Sequence, residues 1–296
     1  MTDWIHVKNI NNDYFLSYQY KKSNMLPLEA AYFTIHQIQN KYPPPYTLML
    51  SGGVDSQAML YAWHTSQVPY TTFSGIYNNG MNENDLSTMR EFSKLFNIHI
   101  NYYDIDILNF LQNEHVEYVY KFRCGSPHMT IFMKMIEMIK EGTVILSGNF
   151  IKTNNPQFLP ISKNNFSLYK FAKQENKSVV PFFFCESQEL AFSIVDTVTH
   201  NSNKLDYSVD MYEYKNKVRL YQQYGFPVIE QPKKLTGFEL VKDYYDANFS
   251  HLVTTKDKLK RLSKVQSSNR TFDLLFRNKY EAEFHCDKYS IKFIPE

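Results

Sequence analysis

Apolar and polar positions along this chain fall into short blocks whose period changes from block to block. Residues 1–22 alternate ("WIHVKN", "YFLSYQY") and predict a short hairpin. "LPLEAAYFTIHQIQNKY" spaces its apolar residues for a helix opening at Pro27, and "PPP" at 43–45 ends it. Then comes an alternation. "YTLML" (46–50) reads as a buried strand, "VDSQAMLYAWHTS" as a helix, and "YTTFSGIYN" (70–78) as a second strand. "NENDLSTMREFSKLFNI" (82–98) is a helix with acids in its first turn, where the helix dipole favours them. "HINYYDID" (99–106) is a third strand, "SPHMTIFMKMIEMIKE" (126–141) a helix stopped by Gly142, and "TVILSGNF" (143–150) a fourth strand. Strands and helices alternating at these lengths specify an α/β fold. The expected architecture is a doubly wound, mostly parallel, Rossmann-like sheet with helices on both faces.

After residue 150 the pattern loosens. "IKTNNPQFLPISKNNF" reads as loop, while "ESQELAFSIVDTVTH", "YEYKNKVRLYQQYG" and "TGFELVKDYYDANF" read as helices. The last stretch, from "NRTFDLLF" onward, alternates and suggests a closing hairpin. The expectation is therefore an α/β domain over 1–150, with its hairpin and first helix, and a mainly helical region over 151–296.

Composition narrows the class. At 296 residues and 43% hydrophobic, the chain can bury a sizeable core. A formal charge of +2 gives no reason to expect a membrane or nucleic-acid partner. The basic run "KDKLKRLSK" (256–264) leaves nucleic acid open without supporting it, because such runs are more often solvated helix faces. The first residues lack the pattern of a signal peptide, and the longest apolar run, "VVPFFFC", is too short to span a bilayer. Three scattered cysteines, Cys124, Cys185 and Cys286, argue against a disulfide framework. The expectation is a soluble, cytoplasmic protein.

The candidate chemistry sits in "LMLSGGVDSQAML" (48–60). With nine glycines in the whole chain, two adjacent ones after an apolar strand are informative. A parallel strand that turns through glycines into a helix leaves that helix's first N–H groups pointing out of the sheet's carboxyl edge. Gly52 and Gly53 are expected to take backbone conformations closed to other residues and to let a ligand approach the main chain. Ser51 and Ser56 add hydroxyls. Together they form an anion cradle where open α/β sheets bind ligands. Both the Walker A spacing and the dinucleotide fingerprint are absent. The plain alternative is a tight strand-to-helix turn.

"SGGVDS" resembles the PP-loop of the ATP pyrophosphatase superfamily. That group includes asparagine, GMP and NAD synthetases, argininosuccinate synthetase, 7-cyano-7-deazaguanine synthase, tRNA lysidine and thiouridine synthetases, and PAPS reductases. The resemblance covers roughly residues 26–150. It implies ATP and Mg²⁺ as cofactors, with ATP cleaved between its α and β phosphates. AMP then activates a carbonyl or carboxyl oxygen for attack by ammonia or an amine. It implies that Asp55 helps hold Mg²⁺, where the alternative is a helix-start acid. Ser147 and Gly148 would face the α phosphate, where the alternative is an ordinary strand-ending turn. Ser74 and Gly75 stand where relatives hold adenine. Lys121 and Arg123 match a segment that binds phosphates in the deazaguanine synthase, where the alternative is a solvated basic loop.

Departures from the subfamilies restrict the branch. Past the fourth-strand turn, asparagine synthetases carry an acid; here "SGNFIKTN" has Lys152, which joins Asp55 and Arg123 as a candidate catalytic residue. The clustered cysteines of the deazaguanine synthase and the paired cysteines of thiouridine synthetases are absent. Cys286 lacks the neighbours it has in PAPS reductases. Cys124, His128, His285 and Cys286 have loose spacing for a metal site, and packed or surface roles suit them better. The resemblance thus points to an amide- or amidine-forming ligase near the asparagine-synthetase-like and deazaguanine-synthase-like branches. Its partners would be a small-molecule substrate and a glutaminase or free ammonia, with a homodimer left open. A sulfur-transfer or sulfate-adenylate-reducing enzyme using Cys286 or Cys124 is the second reading, and a non-catalytic nucleotide-binding module the third.

Overall fold

The computed structural model describes residues 7–10, 13–19, 24–148, 158–159, 163–182, 187, 189–194, 214–231, 237–254, 270–278, 280 and 289–294. In chain order the named elements are β1 (Val7–Ile10), β2 (Asp13–Gln19), α1 (Pro27–Lys41), β3 (Tyr46–Met49) and α2 (Val54–Thr65). There follow β4 (Thr71–Tyr77), α3 (Glu83–Phe96), β5 (Tyr102–Ile105), α4 (His115–Phe122), α5 (Pro127–Met138) and β6 (Thr143–Leu146). The rest are β7 (Phe158–Leu159), α6 (Lys163–Gln174), β8 (Ser178–Pro181), α7 (Tyr214–Gln223), α8 (Glu239–Phe249) and β9 (Tyr289–Ile294).

The central sheet has the strand order β5-β4-β3-β6-β8, and every pairing in it is parallel. Right-handed crossovers put the connections leftward from β3 on one face and those rightward to β6 and β8 on the other. Accordingly α1 packs with α2, while α4, α5 and α6 pack with one another. Strands β3 and β6 are buried at every position, as a sheet covered on both faces requires. Helix α2 buries Val54, Ala58, Met59, Leu60, Ala62 and Trp63, residues on more than one side. It is therefore sandwiched rather than amphipathic. The order in which strands are added reverses between β3 and β6, so the connections from their carboxyl ends leave on opposite faces and open the crevice where such sheets receive ligands.

Three elements differ from the sequence expectation. Residues 115–122 form α4, which takes in the start of the segment 118–128 whose alternative reading was a solvated basic loop. His115, Tyr118, Val119 and Phe122 are buried at helical spacing, so burial decided against the polar residues between them. The sheet extends past residue 150: β8 supplies a fifth strand, with Val179 opposite Val144 and both Val179 and Val180 fully buried. Pro181 at its end obscured it in the sequence. The C-terminal stretch is no hairpin. Residues 271–278 are helical and bury Phe272, while β9 pairs parallel with β2 and antiparallel with β7. The expected β1–β2 hairpin is present, with Val7 opposite Leu16. No helix among the described residues is long and apolar enough to cross a membrane.

His115 ties three elements together. It is fully buried, with Nδ1 2.9 Å from the Thr130 hydroxyl of α5 and Nε2 3.1 Å from the Phe276 carbonyl. A carbonyl only accepts, so Nε2 carries the proton and Nδ1 is the acceptor. Burial pushes its pKa down to about 4, against the smaller raising effect of the Phe276 carbonyl. In the unfolded chain imidazole takes a proton near pH 6.5; in the fold it resists until about 4. The stability it contributes is therefore intact above about pH 6.5 and is lost as pH falls toward 4. His115→Gln should lose, over that window, a fall on the order of 3 kcal/mol that wild type shows. Urea melts of both proteins between pH 4 and 7 check it, and parallel pH profiles would refute it.

Candidate functional site

Between β3 and α2 the chain turns through Ser51, Gly52 and Gly53. The two glycines do different work, which corrects the expectation that both need conformations closed to other residues. Gly52 has φ +90° and lies against α3, where a Cβ would stand 2.3 Å from the Asp85 carbonyl oxygen. Gly53 caps α2 with ordinary extended backbone, φ −67° and ψ 162°. Among the described residues a Cβ there would meet only the Ser51 hydroxyl, at 3.6 Å, so none of them fills the space above it. The first backbone bond of α2 runs from Gln57 N–H to the Gly53 carbonyl at 3.1 Å. Gly53 has no side chain to cap with, so the amides of the first turn face that space.

Side chains hold the loop in this shape. The buried Ser56 hydroxyl accepts from Ser51 N–H at 3.1 Å and lies 2.9 Å from the exposed Ser51 hydroxyl. Fully buried Gln57 donates to the Gly52 carbonyl at 3.2 Å and accepts from Ile229 N–H at 2.7 Å. The loop is thus pinned from within α2 and from the far half of the chain.

Two acids flank it. Asp55, in the first turn of α2, is gripped from α7. Lys217 Nζ lies 2.5 Å from its Oδ2, and the Tyr221 hydroxyl donates to its Oδ1 at 2.6 Å. Burial first, then the Asp55 charge, pushes the Tyr221 phenol well up from its usual range. Asp85 was read from the sequence only as a helix-start acid. It accepts from the Gln231 side chain at 3.0 Å, and its other oxygen would be 2.6 Å from a Cβ at Gly237. Burial raises its pKa to about 6, against the Gln231 hydrogen bond, with the Glu239 charge adding to the rise. Gln57, Lys217, Tyr221 and Gln231 were likewise missed. Their only signal is spatial, since 146 to 172 residues separate the pairs.

The other sequence candidates divide. Met49 pairs with Leu146, so Ser147 and Gly148 leave the sheet beside the loop; Gly148 has φ +72°. Ser74 is buried, with its hydroxyl spent on the Leu50 carbonyl at 3.1 Å. Gly75 makes room for Met135 and Ile105, 2.8 and 2.9 Å from where a Cβ would be. Both positions brace the sheet behind the loop. Lys121 pairs at 2.8 Å with Glu175, at the end of α6 that feeds β8, which is the edge opposite the loop. Arg123 ends α4 with φ +53°, and its carbonyl accepts from the Ser167 hydroxyl at 3.0 Å. Lys152, Cys185, His285 and Cys286 lie outside the described residues. Cys124 is buried, its thiol directed at the Ser126 carbonyl, and the His128 ring lies tilted against Phe238 with centroids 3.9 Å apart. Among the described residues no group of three or more His, Cys, Asp and Glu side chains is placed to hold a metal ion. A cavity of about 330 Å³ lined by Lys140, Glu141, Lys173 and Lys177 opens at the amino ends of β6 and β8. That is the wrong edge for a ligand of such a sheet.

The loop fits a polyphosphate on its own geometry: convergent amides, one exposed hydroxyl, and space that no described residue fills where a Cβ would stand. A hard carboxylate at its rim, Asp55, suits Mg²⁺ shared with phosphate oxygens.

No family model matches the sequence, and no curated protein matches it. Among solved structures the chain is similar to a U34-tRNA thiolase from Methanococcus maripaludis, with 11% identity, 89% of this chain and 80% of that chain covered, and a TM-score of 0.33. It is similar to an NH3-dependent NAD synthetase from Campylobacter jejuni, with 15% identity, 71% and 96% covered, and a TM-score of 0.31. It is also similar to an NMN synthetase from Francisella tularensis, with 12% identity, 72% and 100% covered, and a TM-score of 0.30.

The glycine geometry predicts different outcomes for the two positions. Gly52→Ala should destabilise the fold by about 1–3 kcal/mol from backbone strain, and further from the overlap with Asp85. Gly53→Ala should melt close to wild type yet lose the melting-temperature gain that pyrophosphate confers. Thermal melts with and without pyrophosphate decide between them; equal gains in wild type and Gly53→Ala would refute the cradle. Asp85 carries a pH signature opposite to that of His115. Its raised pKa means the fold is favoured below pH 3.8 and loses that contribution as pH rises through about 6. Asp85→Asn should therefore be more stable than wild type at pH 7, by an amount on the order of 3 kcal/mol, with the gap closing by pH 4. Urea melts at both pH values test it.

Proposed function

We propose that this chain is an ATP-dependent, AMP-forming enzyme that activates a carbonyl or carboxyl oxygen of a small molecule for attack by ammonia or an amine. The observation that carries the reading is the amide cradle over Gly53, at the carboxyl ends of β3 and β6 where the order of strand addition reverses. The first-turn amides of α2 and the Ser51 hydroxyl bind the β and γ phosphates. As the α–β bond breaks, charge grows on the departing pyrophosphate. Fixed N–H dipoles stabilise it without reorganising. The Gln57, Ser56 and Gly52 contacts keep those dipoles aimed. Asp55 would hold Mg²⁺, which neutralises phosphate charge when bound. Ser147 and Gly148, beside the loop, face the α phosphate. Arg123 and Lys152 are the further candidate catalytic residues. The region after residue 150 selects the acceptor, and a glutaminase partner or free ammonia supplies nitrogen in the cytoplasm.

The sulfur-transfer alternative finds little support at Cys124. A thiol buried as deeply as that of Cys124 is a poor nucleophile. Cys286 remains its candidate.

Incubation with Mg-ATP, ammonium and a small-metabolite extract should yield AMP and pyrophosphate in equal amounts, read by phosphorus NMR. ADP and phosphate as products, or no binding of ATP and AMP by calorimetry to folded protein, would overturn the proposal. Asp55→Asn should lower turnover by at least about 100-fold, a loss of roughly 3 kcal/mol in transition-state stabilisation. Cys124→Ser and Cys286→Ser should leave it within a few-fold. A dead Cys286→Ser variant would favour sulfur transfer.

A further inference from the structure

Asp55 is the acid that the ATP reading needs at the loop, yet both its oxygens are engaged. Lys217 and Tyr221 stand one turn apart on α7, so a single helix face meets the carboxylate. The pair is largely withdrawn from water, with side chains 19% and 18% exposed. Screening there is weaker than at a surface bridge. Asp55 lies in the first turn of α2, so the ammonium sits at the rim of the amide cradle. An ammonium in that place has two possible anionic partners: the carboxylate it now holds, and a phosphate arriving over Gly53. A flexible four-carbon stem with a compact charge suits an exchange between them.

We propose that Lys217 is a phosphate ligand held in reserve by Asp55. When the nucleotide arrives, the ammonium moves to a phosphate oxygen and Asp55 is released to the divalent cation that accompanies it. This rests on the ATP reading above and deepens it. No bond is made or broken; two ion pairs exchange partners and charge is conserved. Helix α7 lies in the half of the chain assigned to acceptor choice, so the exchange tells that half that the cradle is filled. The same α7 segment leads into residues 226–231, which reach the loop through Ile229 on Gln57 and Gln231 on Asp85.

The test measures binding, not turnover. Calorimetry follows pyrophosphate with EDTA present, and Mn²⁺ alone, on wild type, Lys217→Met and Lys215→Met. Lys215 is exposed on the same helix and controls for the loss of one positive charge. Lys217→Met should bind metal-free pyrophosphate at least about tenfold more weakly than Lys215→Met does, a difference of roughly 1.4 kcal/mol. It should bind Mn²⁺ alone more tightly than wild type, because Asp55 has lost its ammonium. A static ion pair predicts that the two lysine variants bind metal-free pyrophosphate alike, and that result overturns the exchange. If Lys217→Met does not fold, Asp55→Asn carries the test. It frees the ammonium without removing it, so metal-free pyrophosphate should bind several-fold more tightly, and an unchanged or lower affinity is the overturning result. Wild type that binds neither pyrophosphate nor Mg-ATP defeats the ATP reading itself. Wild type that binds both, with the lysine variants alike, defeats only the exchange.

Discussion

The contact between Gly52 and the Asp85 carbonyl is the constraint on which the site depends. It forces the chain into a left-handed turn directly after β3, and no residue with a side chain fits that distance. Because of that turn, α2 starts with its first amides at the carboxyl edge of β3 and β6. Without it, the strand would run on or the helix would begin elsewhere. The sheet order then supplies the crevice, and the two features coincide at one place.

A turn held so tightly must be supported from several sides, and the supports come from far along the chain. Gln57 fixes the Gly52 carbonyl and grips Ile229; Gln231 grips Asp85; Lys217 and Tyr221 grip Asp55. Each is a buried or half-buried polar contact, where an unmade hydrogen bond costs more than a made one gains. The network therefore specifies the position of residues 214–231 on the loop more than it adds stability. It makes the C-terminal half a part of the cradle's frame.

The central sheet was legible in the sequence because each of its first four strands is a short apolar run between clear helical periods. "SGGVDS" was legible because glycines are scarce and the flanking strand and helix are unambiguous. What could not be read follows from the same physics. Helix α4 hides its burial at His115, a polar residue satisfied by Thr130 and Phe276. Strand β8 ends in proline. The distinct duties of Gly52 and Gly53 depend on α3, thirty-odd residues away, which no local pattern reports. Asp85 looked like one more helix-start acid, and only packing against Gly237 and Gln231 sets it apart. Lys121 looked like a phosphate binder, yet Glu175 claims it at the other edge.

Asp85 shows how strain and function meet at this site. An acid whose pKa is raised to about 6 makes the fold less stable at neutral pH than a neutral side chain of the same shape would. Helix-dipole stabilisation at the start of α3 works in the opposite direction and does not cancel the burial. The Gln231 hydrogen bond offsets part of the cost and sets the carboxylate against the segment that also carries Ile229. Its main chain, meanwhile, is the surface on which Gly52 rests. The residue that positions the loop thus also carries a buried charge within reach of neutral-pH titration, and perturbed acids of this kind concentrate at working sites. The loop's rigidity and the acid's discomfort have one cause: α3 and the segment around Gln231 and Gly237 pack against the turn and withdraw Gly52 and Asp85 from water.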